Sequence, residues 1–460
     1  MNETIAAPRP LFTRHELFRL IWPLVIEQTL AIAVGMADSM MVSSVGEAAM
    51  SGVSLVDMIS VLLINVFAAL ATGGAVVTSQ FLGARDSQSA RGSTDQLVLV
   101  TFVLSAVITA LILLFRRQTL MLAFGHVEPD VMRNCMTYLT ITGFSYPFIA
   151  LYNSSAALFR CINNSRVSMR VSLVMNAINL GGNALLIYVV GMGVAGVAIP
   201  TLVSRVFAAV VMLVLLRKKD NPIRLGSLRE LRPNHRLIGR IMTIGVPSAA
   251  ENGMFQFGKI LVISLISGFG TAQIAANAMG NNIAALAILS GQAISLAIVT
   301  VVGRCVGARD LRQTRRYGIQ LTLLSDVLTT LACGMVLLLL PLLLRLYHAS
   351  PEATGYVKKI ILLHSVSVPL LWSWSFTLPG ALRACNDVKF TSIVAIVSMW
   401  VCRVGFSYLL GVHLRWGVFG IWVAMILDWV VRAAFYVPRF LCGGWKKHAV
   451  YTPLAHHRDI

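Results

Sequence analysis

Apolar stretches of about 20 residues, the length that crosses roughly 30 Å of hydrocarbon at 1.5 Å per residue, recur from one end of this chain to the other. Inside a bilayer only an α-helix satisfies its backbone groups within a single segment, so the stretches dictate an all-α polytopic membrane protein. Twelve can be counted, at 17–42, 53–80, 94–115, 132–158, 168–190, 193–216, 237–267, 277–303, 317–345, 356–382, 390–411 and 416–441. The composition agrees: 57% of the 460 residues are hydrophobic and 12% charged, more apolar than a water-soluble core of this length can use. Arg9, Arg14 and Arg19 occupy the first 20 residues, but no short apolar core with a small-residue cleavage site follows. No signal peptide is expected, and the first span is predicted to stay in the mature protein.

A net charge of +19 would suit a nucleic-acid binder, but its distribution argues for a membrane. With the N-terminus placed inside, cytoplasmic segments hold 27 of the 38 Lys and Arg, outer loops 7 and helix interiors 4. That asymmetry is the positive-inside pattern, and it puts both termini in the cytoplasm. The segment 217–240 carries Arg217, Lys218, Lys219, Arg224, Arg229, Arg232, Arg236 and Arg240, with prolines at 222 and 233. It reads as a basic cytoplasmic linker that sets topology and contacts lipid headgroups. Nucleic acid is not an expected partner. The seven cysteines are scattered without C-x-x-C or histidine clustering, so no zinc site or redox pair is predicted.

The chain repeats itself. Gly83-Ala84-Arg85-Asp86 recurs as Gly307-Ala308-Arg309-Asp310, an offset of 224 residues. The same offset carries Pro23 onto Pro247, Glu27 onto Glu251, Gly46 onto Gly270, Val77 onto Val301, and Gly193 and Gly196 onto Gly417 and Gly420. One register holding at distant places marks a duplication. Because each half has an even number of spans, both copies enter the membrane from the same side and form a parallel repeat. The expected organisation is two six-helix lobes, 1–216 and 241–441, joined by the linker 217–240 and followed by a cytoplasmic tail 442–460. A cavity between lobes suits alternating access, although channels and membrane enzymes can also be duplicated.

The runs Trp22-Pro23-Leu24, Ala37-Asp38-Ser39-Met40-Met41-Val42, Gly83-Ala84-Arg85-Asp86, Gly193-Val194-Ala195-Gly196-Val197-Ala198 and Val246-Pro247-Ser248-Ala249-Ala250-Glu251-Asn252 resemble the multidrug and toxic compound extrusion family over residues 15–440. The resemblance implies a two-lobed antiporter that exports organic, often cationic, compounds in exchange for entering Na⁺ or H⁺. The absence of targeting segments favours a bacterial cytoplasmic membrane location, and a monomer is expected. No cofactor beyond the coupling ion is expected.

Six acids lie well inside spans, away from their ends: Glu27, Asp38, Asp57, Glu251, Asp326 and Asp428. Each needs a partner, a water-filled cavity or a function. Asp38 lies deep in the first span, and Glu27, 11 residues earlier, sits at nearly the same azimuth about 16 Å away. Asp38 can bind a proton or Na⁺, or serve as a structural carboxylate. Its repeat partner is Val262, so an ion site is expected in the first lobe alone. Asn176, Asn179 and Asn183, spaced three and four apart, form one amide stripe that suits either a Na⁺ cage with Asp38 or helix–helix hydrogen bonding. The family resemblance assigns Asp38, Asn179 and Asn183 to a first-lobe cation site, with Thr201 as a further match. Some members carry aspartate where Asn183 stands, which leaves the ion open.

Glu27 and Glu251 each follow a proline by one turn and read equally as gates or as acids capping backbone groups. Glu251 is expected to act largely alone. Lys259, Arg403 and Asp428 read as a structural ion-pair group, with Arg403 pairing Asp428. Arg160 and Arg383 are expected to reach headgroups at span ends. Trp372, Trp374 and Phe376 in the tenth span are candidates for substrate contact or plain core. A flippase for lipid-linked precursors is the alternative function, and it needs a basic cleft. With neither H-E-x-x-H nor a nucleophile elbow, no enzyme is expected, and without a P-loop no ATP coupling.

Overall fold

The computed structural model describes residues 10–125, 128–226, 232–347, 350–451 and 453. Arg9 and Arg229 and most of the tail after Tyr451 lie outside these. The described residues are helical, with no strand among them. Eleven segments are long and apolar enough to cross a membrane singly. The twelfth crossing is the fourth expected span, which is broken into α5 (Pro129–Gly143) and α6 (Tyr146–Cys161). Pro147 stands at the start of α6. Its ring disfavours helix in the residue before it and lacks an N–H, so the segment restarts there instead of running through.

The duplication is built into the backbone. Helices α2 (Glu47–Gly83) and α10 (Thr271–Gly307) have 37 residues each and begin and end at equivalent positions. Both close in the same way. Arg85 and Arg309 adopt left-handed φ values of 59° and 57°. The amide of Asp86 returns to the Phe81 carbonyl at 2.9 Å and that of Asp310 to Cys305 at 3.1 Å, the pattern of a Schellman cap. The two aspartates then cap the next helices, Asp86 through Ser89 N at 3.0 Å and Asp310 through Gln313 N at 2.9 Å. These helices are α3 (Ser87–Leu114) and α11 (Leu311–Leu346).

The glycine of each motif has a different task. A Cβ on Gly83 would collide with the carbonyl of Arg304, and one on Gly307 with that of Gln80. Residues 80 and 304 are themselves repeat partners, so α2 and α10 touch backbone to backbone across a pseudo-twofold axis. Nearby, Gly73 packs against Ile241 and Gly245 of α9 (His235–Ile266). Small residues permit such an approach, and packing rather than hydrophobicity then drives association in a membrane.

Hydrophobic packing shows how the lobes meet. One buried cluster mixes both halves, joining Leu20, Leu70 and Val76 with Ile241, Ile298 and Leu382. A second holds Val53, Tyr138 and Val197 from the first half only, and a third Met279, Ile360 and Trp422 from the second half only. The shared cluster lies at the end bearing the Gly83 and Gly307 loops, and the separate clusters lie at the other. The lobes therefore join at one end and part at the opposite one. Two segments strap the closed end. Phe12 exchanges hydrogen bonds with Tyr317 of α11, at 3.2 and 2.8 Å. Tyr451 donates to Asp86 at 3.3 Å and stands edge-on to Phe81.

Gly83→Ala and Gly307→Ala are each expected to destabilise the protein by about 1–3 kcal/mol, because the obstructing atoms are backbone and cannot rotate away. Thermal unfolding in detergent checks this, with Gly35→Ala and Gly253→Ala as near-neutral controls whose Cβ would meet open space.

Candidate cation site and its counterpart in the second lobe

Asp38 lies on α1 (Arg14–Ser43) and faces α7 (Ser165–Ala184). Asn183 Nδ2 donates to Asp38 Oδ1 at 2.8 Å. The Asn179 amide is 3.1 Å from both carboxylate oxygens and from Thr201 Oγ1. Turned so that its nitrogen faces Asp38, it donates to the carboxylate while its oxygen accepts from Thr201. Thr201 comes from α8 (Ala195–Leu216). Asn179, Asn183 and Thr201 are buried, so three helices converge on one carboxylate. Asn183 Oδ1 is buried without a hydrogen-bond partner. An unfilled oxygen beside a carboxylate suits a hard cation. Asn176 does not join this group, and its amide nitrogen makes no hydrogen bond.

A second acid belongs to the same region. Tyr138 of α5 donates to Asp57 of α2 at 3.2 Å. Asp38 and Asp57 repel each other, and Arg205 of α8 attracts both. Arg205 is held by a 2.8 Å hydrogen bond to Ser145 at the break between α5 and α6. Asp57 was visible in the sequence as an intramembrane acid, but no spacing rule links α2 to Asp38. Only the tertiary fold does.

Glu27 accepts from Tyr152 and Ser168, both at 3.0 Å. Glu251 accepts from Ser392 at 3.1 Å and stands 4.0 Å from Arg383. Ser168 and Ser392 each stand 141 residues beyond the acid they serve, so the two acids share one kind of environment. Their partners are hydroxyls and not the backbone groups that a capping role requires. Glu251 is not alone, and Arg383 points to it instead of to a headgroup. At Arg160/Arg383 and Asn163/Asn386 the offset is 223, and by Gly193/Gly417 it is 224. The eleventh span absorbs the extra residue in its π-helical turns, Met399–Gly405 and Ser407–His413.

The expected pairing of Arg403 with Asp428 is corrected. Arg432 takes Asp428 at 2.9 Å, one helical turn away on α15 (Gly417–Leu441). Lys259, Arg403 and Arg432 surround the ring of Phe255 at 5.9, 5.3 and 5.5 Å. Of the tenth-span aromatics, Trp372 is buried core against Gly291, and Trp374 packs on the shared cluster. Phe376 stacks on Trp372 at 5.4 Å and faces the Arg432 guanidinium at 5.2 Å. Phe255, which no sequence rule singled out, is the centre of this group.

A carboxylate ringed by amides in one of two lobes, joined at one end and parted at the other, has the form of a two-lobed membrane transporter. The chain belongs to the MatE family of multidrug efflux transporters, whose model matches residues 23–185 and again 247–409, the two copies of the repeat. An uncharacterized transporter, YisQ, of Bacillus subtilis is 27% identical over 96% of this chain and 97% of its own. A probable multidrug resistance protein NorM of Thermotoga maritima is 26% identical over 95% and 94%. The fold matches an outward-facing multidrug resistance MATE family transporter with TM-score 0.87 at 20% identity, covering 94% of this chain and 96% of that one.

Titrating the purified protein with Na⁺ and with acid, followed by tryptophan fluorescence, is expected to show a cation-dependent change that Asp38→Asn abolishes. Asn183→Ala is expected to shift the midpoint of the acid response to about tenfold lower proton concentration or further, because the donor that favours the empty carboxylate is lost. Asn176→Ala should leave it unchanged.

Proposed function

We propose that this protein is a cation-coupled antiporter that exports amphipathic organic compounds, with Asp38 as the site of Na⁺ or H⁺ loading. The observation that carries the reading is the donation of Asn183, at 2.8 Å, to a carboxylate deep in the first span. N–H donors favour such a carboxylate while it is charged and empty. A proton or Na⁺ on Asp38 weakens the demand for those donors and favours a different contact between α1 and α7. Ion occupancy thereby acquires different affinities for two lobe arrangements, which is all that coupling requires. At one ion per substrate molecule, a tenfold ion gradient supplies about 1.4 kcal/mol and sustains about a tenfold substrate gradient.

Asn179, Asn183 and Thr201 position the ion, and Glu27 and Glu251 are secondary acids on the lobe faces. The basic end, where the lobes join, is assigned to the cytoplasm by its Lys and Arg excess. The opening then faces outward, across a bacterial inner membrane, with the chain acting as a monomer.

Efflux of a fluorescent amphiphile from proteoliposomes, under separately imposed Na⁺ and pH gradients, tests this. The wild type should respond to one of the two gradients. Asp38→Asn should lose that response at least about a hundredfold, since the gradient no longer has a site to act on. Equal gradient-driven efflux by Asp38→Asn overturns the reading.

A further inference from the structure

We infer that the second lobe carries an anion site, the pseudo-symmetric counterpart of the Asp38 site with its charge inverted, and that the transported compound presents an anionic head to it. The inference rests on the transport reading above and adds a substrate class to it.

A cleft of about 40 Å³ in the second lobe is lined by Lys259, Val262, Asn277, Asn281, Arg403 and Trp422, among others. The 224-residue register gives its origin. Val262 replaces Asp38, Asn281 replaces Asp57, Arg403 replaces Asn179, and Lys259 stands where the first lobe has Gly35. Met425, the counterpart of Thr201, lines it too. Both acids of the first-lobe site are thus gone and two cations have been added. The slip near the eleventh span shifts the partner of Asn179 by one residue at most, so Arg403 stays on the equivalent turn.

Among the described residues these cations have no counter-ion in direct contact. No carboxylate lies within 4.0 Å of Lys259 or Arg403 among the described residues, and neither makes a hydrogen bond there. Asp428 gives one carboxylate oxygen to Arg432 and leaves the other without a hydrogen bond, and it attracts Arg403 from beyond 4.0 Å while Arg432 repels it. Glu251 is committed to Ser392 and Arg383. Lys259 and Arg403 repel each other, and the face of Phe255 offsets part of that repulsion. An oxyanion between them would relieve that repulsion and accept from both.

Neutral donors complete the site. The indole N–H of Trp422 donates to Asn277 Oδ1 at 3.1 Å, which fixes that amide with its Nδ2 free to donate. The cleft has room for a small polar head such as a carboxylate or a phosphate. The apolar walls of Ile263, Ile266 and Ile421 fit the first carbons beyond such a head, and the body of the molecule would occupy the opening between the lobes. A free organic anion and a phospholipid headgroup share this chemistry.

The test compares two probes of one shape with full-length protein in detergent at low salt: pyrenebutyrate and pyrenebutyl-trimethylammonium, by fluorescence anisotropy. The wild type should bind the anion at least about tenfold tighter. Lys259→Gln and Arg403→Gln should each reduce anion affinity about tenfold, and the double variant should lose the preference. Thermal unfolding guards against misfolding, since the anion should stabilise the wild type and not the double variant. Competition by phosphatidylglycerol in nanodiscs, but not by soluble carboxylates, identifies a lipid source, and the reverse a free anion. Asp38→Asn should keep the anion preference while losing gradient-driven transport, so the two readings fail separately. Tighter binding of the cation probe, or anion binding that persists in the double variant, overturns the inference.

Discussion

The contact between the backbones of α2 and α10 is the constraint on which the rest of the structure depends. Two long helices, one from each copy of the repeat, meet where Gly83 faces the Arg304 carbonyl and Gly307 faces that of Gln80. Because the meeting is reciprocal, it places a pseudo-twofold axis at one end of the molecule and leaves the other end free to part. The cores follow from this geometry, shared at the closed end and separate at the open end. The N-terminal strap and the tail cross to opposite lobes and reinforce the same end.

Within that symmetric frame the charges are not symmetric. Burying an ionisable group in a bilayer costs a few kcal/mol or more unless it is paired or faces water. Glu27 and Glu251 meet that cost alike, each through a serine hydroxyl. Asp38 meets it with amides from α7, whereas the equivalent place in the second lobe holds valine beneath two cations. One duplicated scaffold thus presents a site of negative charge on one lobe and of positive charge on the other. A cation and an anionic head can then be handled by separate lobes without competing for one position.

Much of this was legible in the chain itself. Hydropathy gave the crossings, and the offset gave the repeat because a glycine, a left-handed arginine and an N-capping aspartate are fixed by backbone geometry at each helix turn. The spacing gave an amide stripe on one helical face, and the family resemblance grouped Asn179 and Asn183 of that stripe with Asp38. What escaped depended on contacts between helices. The choice of Arg432 over Arg403 by Asp428 had a local signal, the i,i+4 spacing on one helix, that competed with an equally plausible interhelical pair. Asp57 and Phe255 gave no periodic signal, and Trp372 could not be told from a surface aromatic because every face of a membrane helix is apolar. Asn176 shares the stripe but sits a turn too far from Asp38 to reach it.

The central claim is that the occupancy of Asp38 sets the opening between the lobes, and the most direct measurement is a distance across that opening. Spin labels at the repeat-equivalent positions Glu47 and Thr271, which begin α2 and α10, report it by double electron–electron resonance in proteoliposomes, with the exposed Cys442 replaced. The account predicts that the coupling cation shifts the distance distribution of the wild type, and that Asp38→Asn holds it fixed whether the cation is present or not. A distribution in Asp38→Asn that shifts with the cation as the wild type does would contradict it.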